Sequence, residues 1–379
     1  MPKIQDETKY RQRQAQLASA LQTYRLDAVA LNAGPSLVYL TGLHFHLSER
    51  PAVALFTPHL SPILILPELE TGKLAALSYP VQAFPYREDP GEWAAAFRAA
   101  AVEAGLDDRQ VGVEPRRLRV LELRLLEAAA PRANFVSAED PLASLRIHKD
   151  ETEITAMRKA VAVAQAALLA TLPLIQVGMT ERQLAAELSL QLLRHGSDPE
   201  LPFSPIVASG PNSANPHAFP TDRSLSPGDL LILDWGASVG GYFSDLTRTF
   251  SIGEPDPELA RAAQVVAQAN AAARALAAPG VTAGQVDHAA RSAIERAGFG
   301  EYFIHRTGHG LGLEGHEEPY IRAGNPLPLA PGMTFTIEPG IYLPGRGGVR
   351  IEDDIVITPN GNQSLSDLPR DLMPAITSP

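Results

Sequence analysis

Residues 228–236 read GDLLILDWG, and residues 332–340 read GMTFTIEPG. Each stretch runs from one glycine to another and carries an acidic residue two positions before its last glycine, Asp234 in the first and Glu338 in the second. Short apolar runs that are bounded by glycine and rich in β-branched or aromatic residues are typical of buried strands. The sequence therefore predicts two strands, each with a carboxylate close to its end.

The two strands belong to a longer repeat. The segments GMTERQL (178–184) and GVTAGQV (280–286) each contain a Thr-x-x-Gln pattern, which is a capping box at the start of a helix. Gly196 and Gly298 lie where these helices are expected to end. A helix followed by a carboxylate-bearing hairpin thus occurs twice, which predicts two halves related by an approximate two-fold axis.

Each hairpin offers a second acid after its turn. Alignment of GGYFSDLT (240–247) with GGVRIEDD (347–354) matches Asp245 with Glu352. Because the same pattern places one acid before each turn and one after it, the repeat predicts four carboxylates around one point.

Strand geometry indicates how closely these acids approach. We expect the first hairpin to be centred between Val239 and Gly240, which would place Asp245 directly opposite Asp234, about 5 Å away. The second hairpin brings its two acids together in the same way around the turn LPGRGG. Four carboxylates in a partly dry site repel one another strongly unless a cation neutralises them. A histidine from HRTGHGLGLEGHEEP (305–319) would complete a ligand set for two divalent metal ions.

The composition limits the kinds of site and partner. The chain contains no cysteine, which excludes disulfides, cysteine-ligated zinc and thiol nucleophiles. Its formal charge of −11 offers no basic face for a phosphate backbone, so we expect no nucleic-acid partner. The charged N-terminus and the lack of an uninterrupted run of about 18 apolar residues favour a cytoplasmic protein without a membrane segment.

The 379 residues are enough for two domains. The first part of the chain alternates short apolar runs with helical stretches, as an α/β domain does. The predicted strands are DAVALNA (27–33) and PAVALFT (51–57), and the predicted helices are RQRQAQLASALQTY (11–24) and EWAAAFRAAAVEAG (92–105). A polar segment, LRIHKDETEITAMRKA (145–160), then leads into the next helix. We therefore place the two domains at residues 1–147 and 148–379.

A serine-hydrolase pattern, G-x-S-x-G, is present at residues 236–240. It marks a nucleophile only where a strand turns sharply into a helix. Here it crosses a predicted hairpin turn, so we assign Ser238 no catalytic role.

Taken together, these motifs resemble those of the pita-bread metallopeptidases, which include Xaa-Pro dipeptidase (prolidase), Xaa-Pro aminopeptidase and methionine aminopeptidase. The motifs are ASGPNSANPH (208–217), LDWGASVGGYFSDLTRTF (233–250), HRTGHGLGLEGHEEP, FTIEPGIY (335–342) and GGVRIEDD. The first domain, with YLTG at residues 39–42, resembles the creatinase-type N-terminal domain, which methionine aminopeptidases generally lack. The resemblance implies an α/β (α+β) fold class, with a creatinase-like N-terminal domain and a pseudo-symmetric pita-bread domain.

The resemblance also implies roles for individual residues. The implied metal ligands are Asp234, Asp245, His309, Glu338 and Glu352. The implied catalytic residues are His217, His316 and Glu338, of which Glu338 would accept and later donate the proton. Arg350 is implied to contact substrate, and we expect it to pair with the free carboxylate of a product proline. His305 is expected to support the site from behind, and Thr247 and Ser244 to orient the carboxylate of Asp245.

The implied activity is hydrolysis of the Xaa-Pro bond, most directly in dipeptides, by a hydroxide that bridges two metal ions. Mn²⁺ is favoured by the oxygen ligands, and Co²⁺ and Zn²⁺ also fit. The implied partners are small peptides and, as a homodimer, a second copy of the chain. The alternatives are an Xaa-Pro aminopeptidase acting on longer peptides, a methionine aminopeptidase, a metal-free creatinase-like hydrolase and a non-catalytic pita-bread binding protein.

Overall fold

The computed structural model describes residues 7–375 and divides into two compact units, Met1–Arg146 and Ile147–Pro379. Both units combine helices with sheets, which confirms the expected α/β (α+β) fold class.

The first unit is built on a six-stranded mixed sheet with strand order β4-β3-β2-β1-β5-β6. Its strands are β1 (Ala28–Asn32), β2 (Val53–Phe56), β3 (Ile63–Pro67), β4 (Gln82–Tyr86), β5 (Gln110–Val113) and β6 (Asn134–Ser137). Its helices are α1 (Glu7–Thr23), α2 (Pro35–Thr41), α3 (Trp93–Glu103), α4 (Val120–Ala129) and α5 (Glu139–Arg146). The strands and helices predicted from the sequence in this unit are all present, and each of them contributes buried apolar side chains.

The second unit contains the two predicted halves. Its helices are α6 (Glu151–Thr171), α7 (Glu181–Arg194), α8 (Pro257–Leu276) and α9 (Ala283–Arg296). A four-stranded sheet, in the order β19-β11-β8-β7, holds β7 (Ile206–Ser209), β8 (Leu230–Trp235), β11 (Leu246–Ser251) and β19 (Met373–Pro374). A five-stranded sheet, in the order β13-β12-β14-β17-β18, holds β12 (Gly308–Gly310), β13 (Glu317–Ile321), β14 (Thr334–Ile337), β17 (Asp353–Thr358) and β18 (Gly361–Ser364). Two separate hairpins are formed by β9 (Ser238–Val239) with β10 (Tyr242–Phe243), and by β15 (Gly340–Leu343) with β16 (Gly347–Arg350).

The internal repeat is confirmed by matching local structure. Thr180 and Thr282 are the N-caps of α7 and α9, and each forms a complete capping box with the glutamine three residues on. Both helices are 14 residues long. Equivalent backbone bonds precede them: Gly178 N–H donates to Leu225 O at 2.9 Å, and Gly280 N–H donates to Leu329 O at 2.8 Å. Each half also has its own apolar core, one around α6 and α7 and the other around α8 and α9.

The first hairpin has a different register from the one expected. Asp234 pairs with Thr247, so the prediction that Asp245 lies directly opposite Asp234 is wrong. The turn is made by Gly240 and Gly241, whose φ angles of 61° and 79° suit the two central positions of a type I′ turn. Moving the centre of the hairpin by one residue moves every partner by two, and strand alternation therefore keeps Asp245 on the expected face.

The second hairpin corrects the alignment of the two halves. Ile337 pairs with Asp353, which places Glu338 opposite Glu352 when the register is extended by one residue. Gly347 and Gly348 lie in β16, whereas the glycines matched to them in the first hairpin, Gly240 and Gly241, form its turn. The predicted equivalence of Asp245 and Glu352 is therefore wrong, because the glycines that suggested it occupy different places.

The register instead makes Glu352 the counterpart of Thr247, since Thr247 lies opposite Asp234 and Glu352 lies opposite Glu338. These two residues meet in an isolated antiparallel bridge, in which Glu352 N–H donates to Thr247 O at 3.0 Å. A contact between equivalent residues is expected where a two-fold axis passes between two halves. The bridge therefore marks the position of the approximate axis.

The segment Glu151–Leu174, formed by α6 and a 3₁₀ turn, is long and apolar enough to cross a membrane, with a mean hydropathy of 1.2. Its side chains Val161, Ala164 and Leu168 are buried in one core cluster with Leu184 and Leu188 of α7. This packing between helices accounts for the apolar composition of the segment.

Candidate active site

Four of the five predicted metal ligands converge on one point of the second unit. Asp245, His309 and Glu352 each offer a ligand atom, and these atoms lie within 4.8 Å of one another. His309 Nε2 is 3.8 Å from Asp245 Oδ2 and 3.4 Å from Glu338 Oε1. Three of the acids lie where regular strand pairing is interrupted, between β10 and β11, between β14 and β15, and between β16 and β17. The three acids thus come from breaks between strands, and His309 comes from the middle of β12.

The fifth predicted ligand, Asp234, lies in β8 and has one oxygen available. Its Oδ2 accepts a hydrogen bond from Arg350 Nη2 at 2.6 Å. Its Oδ1 is buried and has no hydrogen-bond partner among the described residues. A buried carboxylate oxygen without a donor is costly, and a bound cation would satisfy it.

The electrostatics of the acids point to the same kind of ligand. Burial raises the pKa of Asp234, and it raises the pKa of Glu338 to about 8. Burial and the charge of Glu352 raise the pKa of Asp245 well above its usual range, while burial and the charge of Glu338 do the same for Glu352. The cluster therefore disfavours its own negative charge, and divalent cations would reverse that preference. Four carboxylates and one imidazole form a donor set that fits such ions.

His309 is held as a neutral ligand. Burial, followed by the charge of His316, lowers the pKa of His309 well below its usual range. Its Nδ1 lies 3.1 Å from the carbonyl oxygen of Gly310, to which the Nδ1–H tautomer donates. Nε2 then presents its lone pair toward Asp245 and Glu338, as a metal-ligating histidine requires.

Arg350 is buried, and each of its three guanidinium nitrogens donates to a group of the protein. Its Nη2 binds Asp234, and its Nε donates to Thr247 Oγ1 at 3.2 Å. Its Nη1 donates to Pro216 O at 3.1 Å and to Tyr342 Oη at 3.0 Å. The expectation that Arg350 pairs with a substrate carboxylate is therefore corrected: only 3% of its side chain is exposed, and its guanidinium positions Asp234.

His305 reaches the site through this arginine. Its Nε2 lies 2.9 Å from Tyr342 Oη, and Tyr342 in turn contacts Arg350. Burial lowers the pKa of His305 to about 4, which keeps the ring neutral. His305 is therefore at the end of a hydrogen-bond chain that runs through Tyr342 and Arg350 to Asp234.

The two hydroxyl residues next to Asp245 differ from their expected roles. Thr247 Oγ1 donates to Glu352 Oε2 at 2.7 Å, so it orients a carboxylate other than that of Asp245. Ser244 Oγ accepts from Ala237 N–H at 3.0 Å and stabilises the hairpin. The backbone N–H of Asp245 donates to Asp354 Oδ2 at 3.1 Å. The hairpin and Asp354 hold Asp245, and the expectation for Ser244 is corrected.

His316 and His217 lie on the accessible side of the cluster. Both side chains are exposed. The ring of His316 lies 3.9 Å from that of His309, measured between centroids. His217 follows Pro216, whose carbonyl oxygen binds Arg350, and its charge contributes to lowering the pKa of His316. A substrate that approaches the ligand cluster would meet both imidazoles.

Two elements fix the segments that carry these histidines. Asp287 of α9 accepts from Thr307 N–H at 3.1 Å and from Thr307 Oγ1 at 2.8 Å. Glu181 of α7 accepts from Ser209 N–H at 2.7 Å and from Thr221 N–H at 3.0 Å. Each helix thus uses a buried carboxylate to anchor a segment beside the site.

Sequence reasoning missed Tyr342 and Asp287. Tyr342 is in strand β15, four residues beyond Glu338, so strand alternation was its only sequence signal. Asp287 lies in the middle of α9 and has no local pattern that indicates its role.

The chain matches two protein families along most of its length. Residues 155–359 match Metallopeptidase family M24, and residues 13–148 match the Creatinase/Prolidase N-terminal domain. The chain is similar to the probable dipeptidase PepE of Mycobacterium tuberculosis, with 40% identity over 371 residues and 96% of each chain covered. It is also similar to the Xaa-Pro dipeptidase of Lactobacillus delbrueckii subsp. lactis, with 35% identity over 94% of this chain and 97% of that one.

A solved structure agrees with these relatives. The recombinant prolidase from Thermococcus sibiricus superposes with a TM-score of 0.91 and 32% identity, covering 96% of this chain and 99% of that one. The similarity extends over both units of the chain, and the predictions of the fold family and of a metallopeptidase enzyme are confirmed. With its cluster of acids around His309, the chain belongs to metallopeptidase family M24.

Proposed function

We propose that the protein is an Xaa-Pro dipeptidase that acts with two divalent metal ions. The observation that carries the proposal is the convergence of buried carboxylates on His309, with one oxygen of Asp234 left without a partner among the described residues. The names of the Lactobacillus and Thermococcus proteins support the choice of the Xaa-Pro bond.

The residues that would hold the ions are Asp234, Asp245, His309, Glu338 and Glu352. When bound, divalent ions supply Lewis acidity, which neutralises the acids and makes hydroxide available as a nucleophile near neutral pH. Mn²⁺ is the proposed metal because four of the five ligands are carboxylates.

The remaining chemistry belongs to the side chains. Glu338 is more accessible than the other acids described at the site, with 15% of its side chain exposed. We assign it the transfer of a proton from the attacking water to the leaving proline nitrogen. The exposed imidazoles of His316 and His217 would donate hydrogen bonds to the scissile carbonyl oxygen as negative charge develops there.

A metal-depletion experiment tests the metallopeptidase part of the proposal. The purified protein is treated with EDTA, dialysed, and assayed with Ala-Pro after separate addition of Mn²⁺, Co²⁺ and Zn²⁺. Loss of activity with EDTA and its return with a divalent ion, best with Mn²⁺, is expected. Full activity of protein shown by elemental analysis to be free of metal would overturn the proposal.

A second experiment tests the dipeptidase part. It compares kcat/KM for Ala-Pro, Ala-Pro-amide, Ala-Pro-Ala and Met-Ala with the metal-loaded protein. A preference for Ala-Pro of at least about tenfold is expected if the free carboxylate is recognised. Equal activity on the blocked and extended peptides would favour an Xaa-Pro aminopeptidase, and preference for Met-Ala would favour the methionine branch.

We also propose that the protein is a cytoplasmic homodimer, on the basis of its composition and of the resemblance to pita-bread peptidases. Light scattering during size-exclusion chromatography would test the oligomeric state.

A further inference from the structure

A dipeptidase must recognise the free carboxylate of the residue after the scissile bond. The carboxyl carbon of that residue lies three bonds beyond the scissile carbonyl carbon, within about 4 Å of it. A cation that receives the carboxylate must therefore lie beside the metal-binding residues. Arg350 lies there but is buried, and its guanidinium already binds Asp234, Thr247, Tyr342 and a backbone carbonyl.

Arg306 is a cation beside the site that has no carboxylate partner among the described residues. Its Nη2 lies 3.4 Å from Nδ1 of the exposed His316, so the guanidinium stands next to a proposed catalytic imidazole. Its guanidinium carbon lies 4.5 Å from the ring centre of Tyr320, a stacking contact that holds the group in place and leaves its edges free. Within residues 7–375, no carboxylate lies in ion-pairing distance of Arg306.

Arg306 lies beside the ligand cluster. It is three residues before His309 in the chain, and its Nη2 contacts His316, whose ring centroid lies 3.9 Å from that of His309. The backbone next to it is also fixed, since Asp287 binds Thr307 and Arg291 donates to the carbonyl oxygen of His305 at 2.9 Å. The positive group is therefore held on a rigid segment and does not depend on a mobile loop.

Two other basic side chains near this segment are already paired with carboxylates. Lys149 is buried in an ion pair with Glu317 at 2.6 Å, and Arg291 binds Asp287 at 3.1 Å. A partly exposed guanidinium without a carboxylate partner is suited to bind an incoming carboxylate through two parallel hydrogen bonds. We infer that Arg306 binds the C-terminal carboxylate of the dipeptide substrate and thereby sets the preference for dipeptides; this inference rests on the proposed dipeptidase function.

The test compares substrates with and without the free carboxylate in wild-type protein and in Arg306→Gln. In Arg306→Gln, kcat/KM for Ala-Pro should fall by about 10- to 150-fold, mainly through KM, because a charge-assisted hydrogen bond is lost. Activity on Ala-Pro-amide should change by less than about threefold, because that substrate lacks the carboxylate. The acid-to-amide preference should therefore collapse, and Arg306→Lys should recover only part of it.

The matched control is Arg322→Gln, which removes an exposed positive charge sixteen residues along the chain that has no carboxylate partner among the described residues. Its acid-to-amide preference should equal that of the wild type. Metal content and the thermal midpoint, measured for all variants, identify any variant that is misfolded or has lost its metals.

Binding of L-proline provides a readout that does not depend on turnover. Calorimetry should show weaker binding of L-proline to Arg306→Gln than to wild-type protein, with no change for L-prolinamide. If wild-type protein prefers Ala-Pro and Arg306→Gln keeps the same preference, the inference fails and the dipeptidase function stands. If wild-type protein itself shows no preference for the free carboxylate, the proposed function fails and the inference fails with it.

Discussion

Asp245 is the single carboxylate on which the metal site should depend most. Its Oδ2 lies 3.8 Å from His309 Nε2, and it shares the buried cluster with Glu352. We predict that Asp245→Ala loses both hydrolysis and bound metal. The metal-free fold should persist, because the substitution removes one of several mutually repelling charges.

Elemental analysis of purified protein checks this prediction, with Asp222→Ala as the control. Asp222 is an exposed acid paired with Arg182 and should be dispensable for the metals. Two full equivalents of tightly held metal in Asp245→Ala would contradict the assigned role.

His316 should separate metal binding from chemistry. The side chain is exposed and lies beside His309, yet it is not one of the residues that cluster as ligands. We predict that His316→Ala retains its metals and that kcat falls by about 10²–10⁴, as expected when a hydrogen-bond donor to the transition state is removed.

Steady-state kinetics and metal analysis on the same preparation check this prediction. His288→Ala, at an exposed position of α9, is the control and should behave as the wild type. Loss of metal from His316→Ala would contradict the prediction and would indicate that His316 is a metal ligand.

At the scale of elements, strand β12 can hold His309 at the site only because His309 has a glycine on each side, Gly308 and Gly310. A Cβ atom on Gly308 would lie 1.9 Å from Thr336 O, and one on Gly310 would lie 2.3 Å from Glu318 O. Both clashes are with backbone of neighbouring segments, which cannot move without opening the sheet. The close approach of three segments at β12 therefore requires glycine at these two positions.

This crowding predicts a sharp difference between two substitutions in one stretch. Gly308→Ala should unfold the protein or lower its stability by more than about 3 kcal/mol, since overpacking against backbone is costly. Gly315→Ala should change stability by less than about 1 kcal/mol, because a Cβ atom there meets nothing within 4 Å. Urea unfolding of both variants checks the prediction, and equal stabilities would contradict the close packing at β12.

At the scale of the whole molecule, stability should depend on metal and pH together. In metal-free protein, burial raises the pKa of Glu338 from an ordinary value near 4.5 to about 8. A group whose pKa is raised by folding stabilises the fold below its unfolded pKa and loses that contribution as pH rises through its folded pKa. The metal-free fold should therefore become less stable between about pH 4.5 and pH 8, and Asp245 and Glu352 shift in the same direction.

We predict that the increase in thermal midpoint on adding Mn²⁺ is larger at pH 8 than at pH 5, by roughly 3 °C or more. Scanning calorimetry with EDTA or with Mn²⁺ at the two pH values checks it. Burial favours a raised pKa for Asp353, but Arg248 and Arg370 lower the pKa to about 2. The stabilisation that the Asp353 carboxylate provides is therefore lost only below about pH 4, outside the range compared here. An equal or smaller increase at pH 8 would contradict a cation-neutralised acid cluster.

The sequence by itself determined the parts of this protein that depend on short-range signals. The capping boxes at Thr180 and Thr282 and the two acid-bearing strands are local patterns, so the repeat and the α/β class could be inferred without coordinates. The acids were predicted to converge because strand alternation is insensitive to an error of two residues in the partner.

Only the tertiary structure decided what depends on pairing across the two halves. Arg350 binds Asp234, which lies 116 residues away, and this partner could not be inferred from the alternation along its own strand. The register of the first hairpin depended on which two residues form its turn, and two glycines gave more than one choice. Arg350 is paired with Asp234 whereas Arg306 has no carboxylate partner among the described residues, because burial and long-range packing decide which charges the protein itself satisfies.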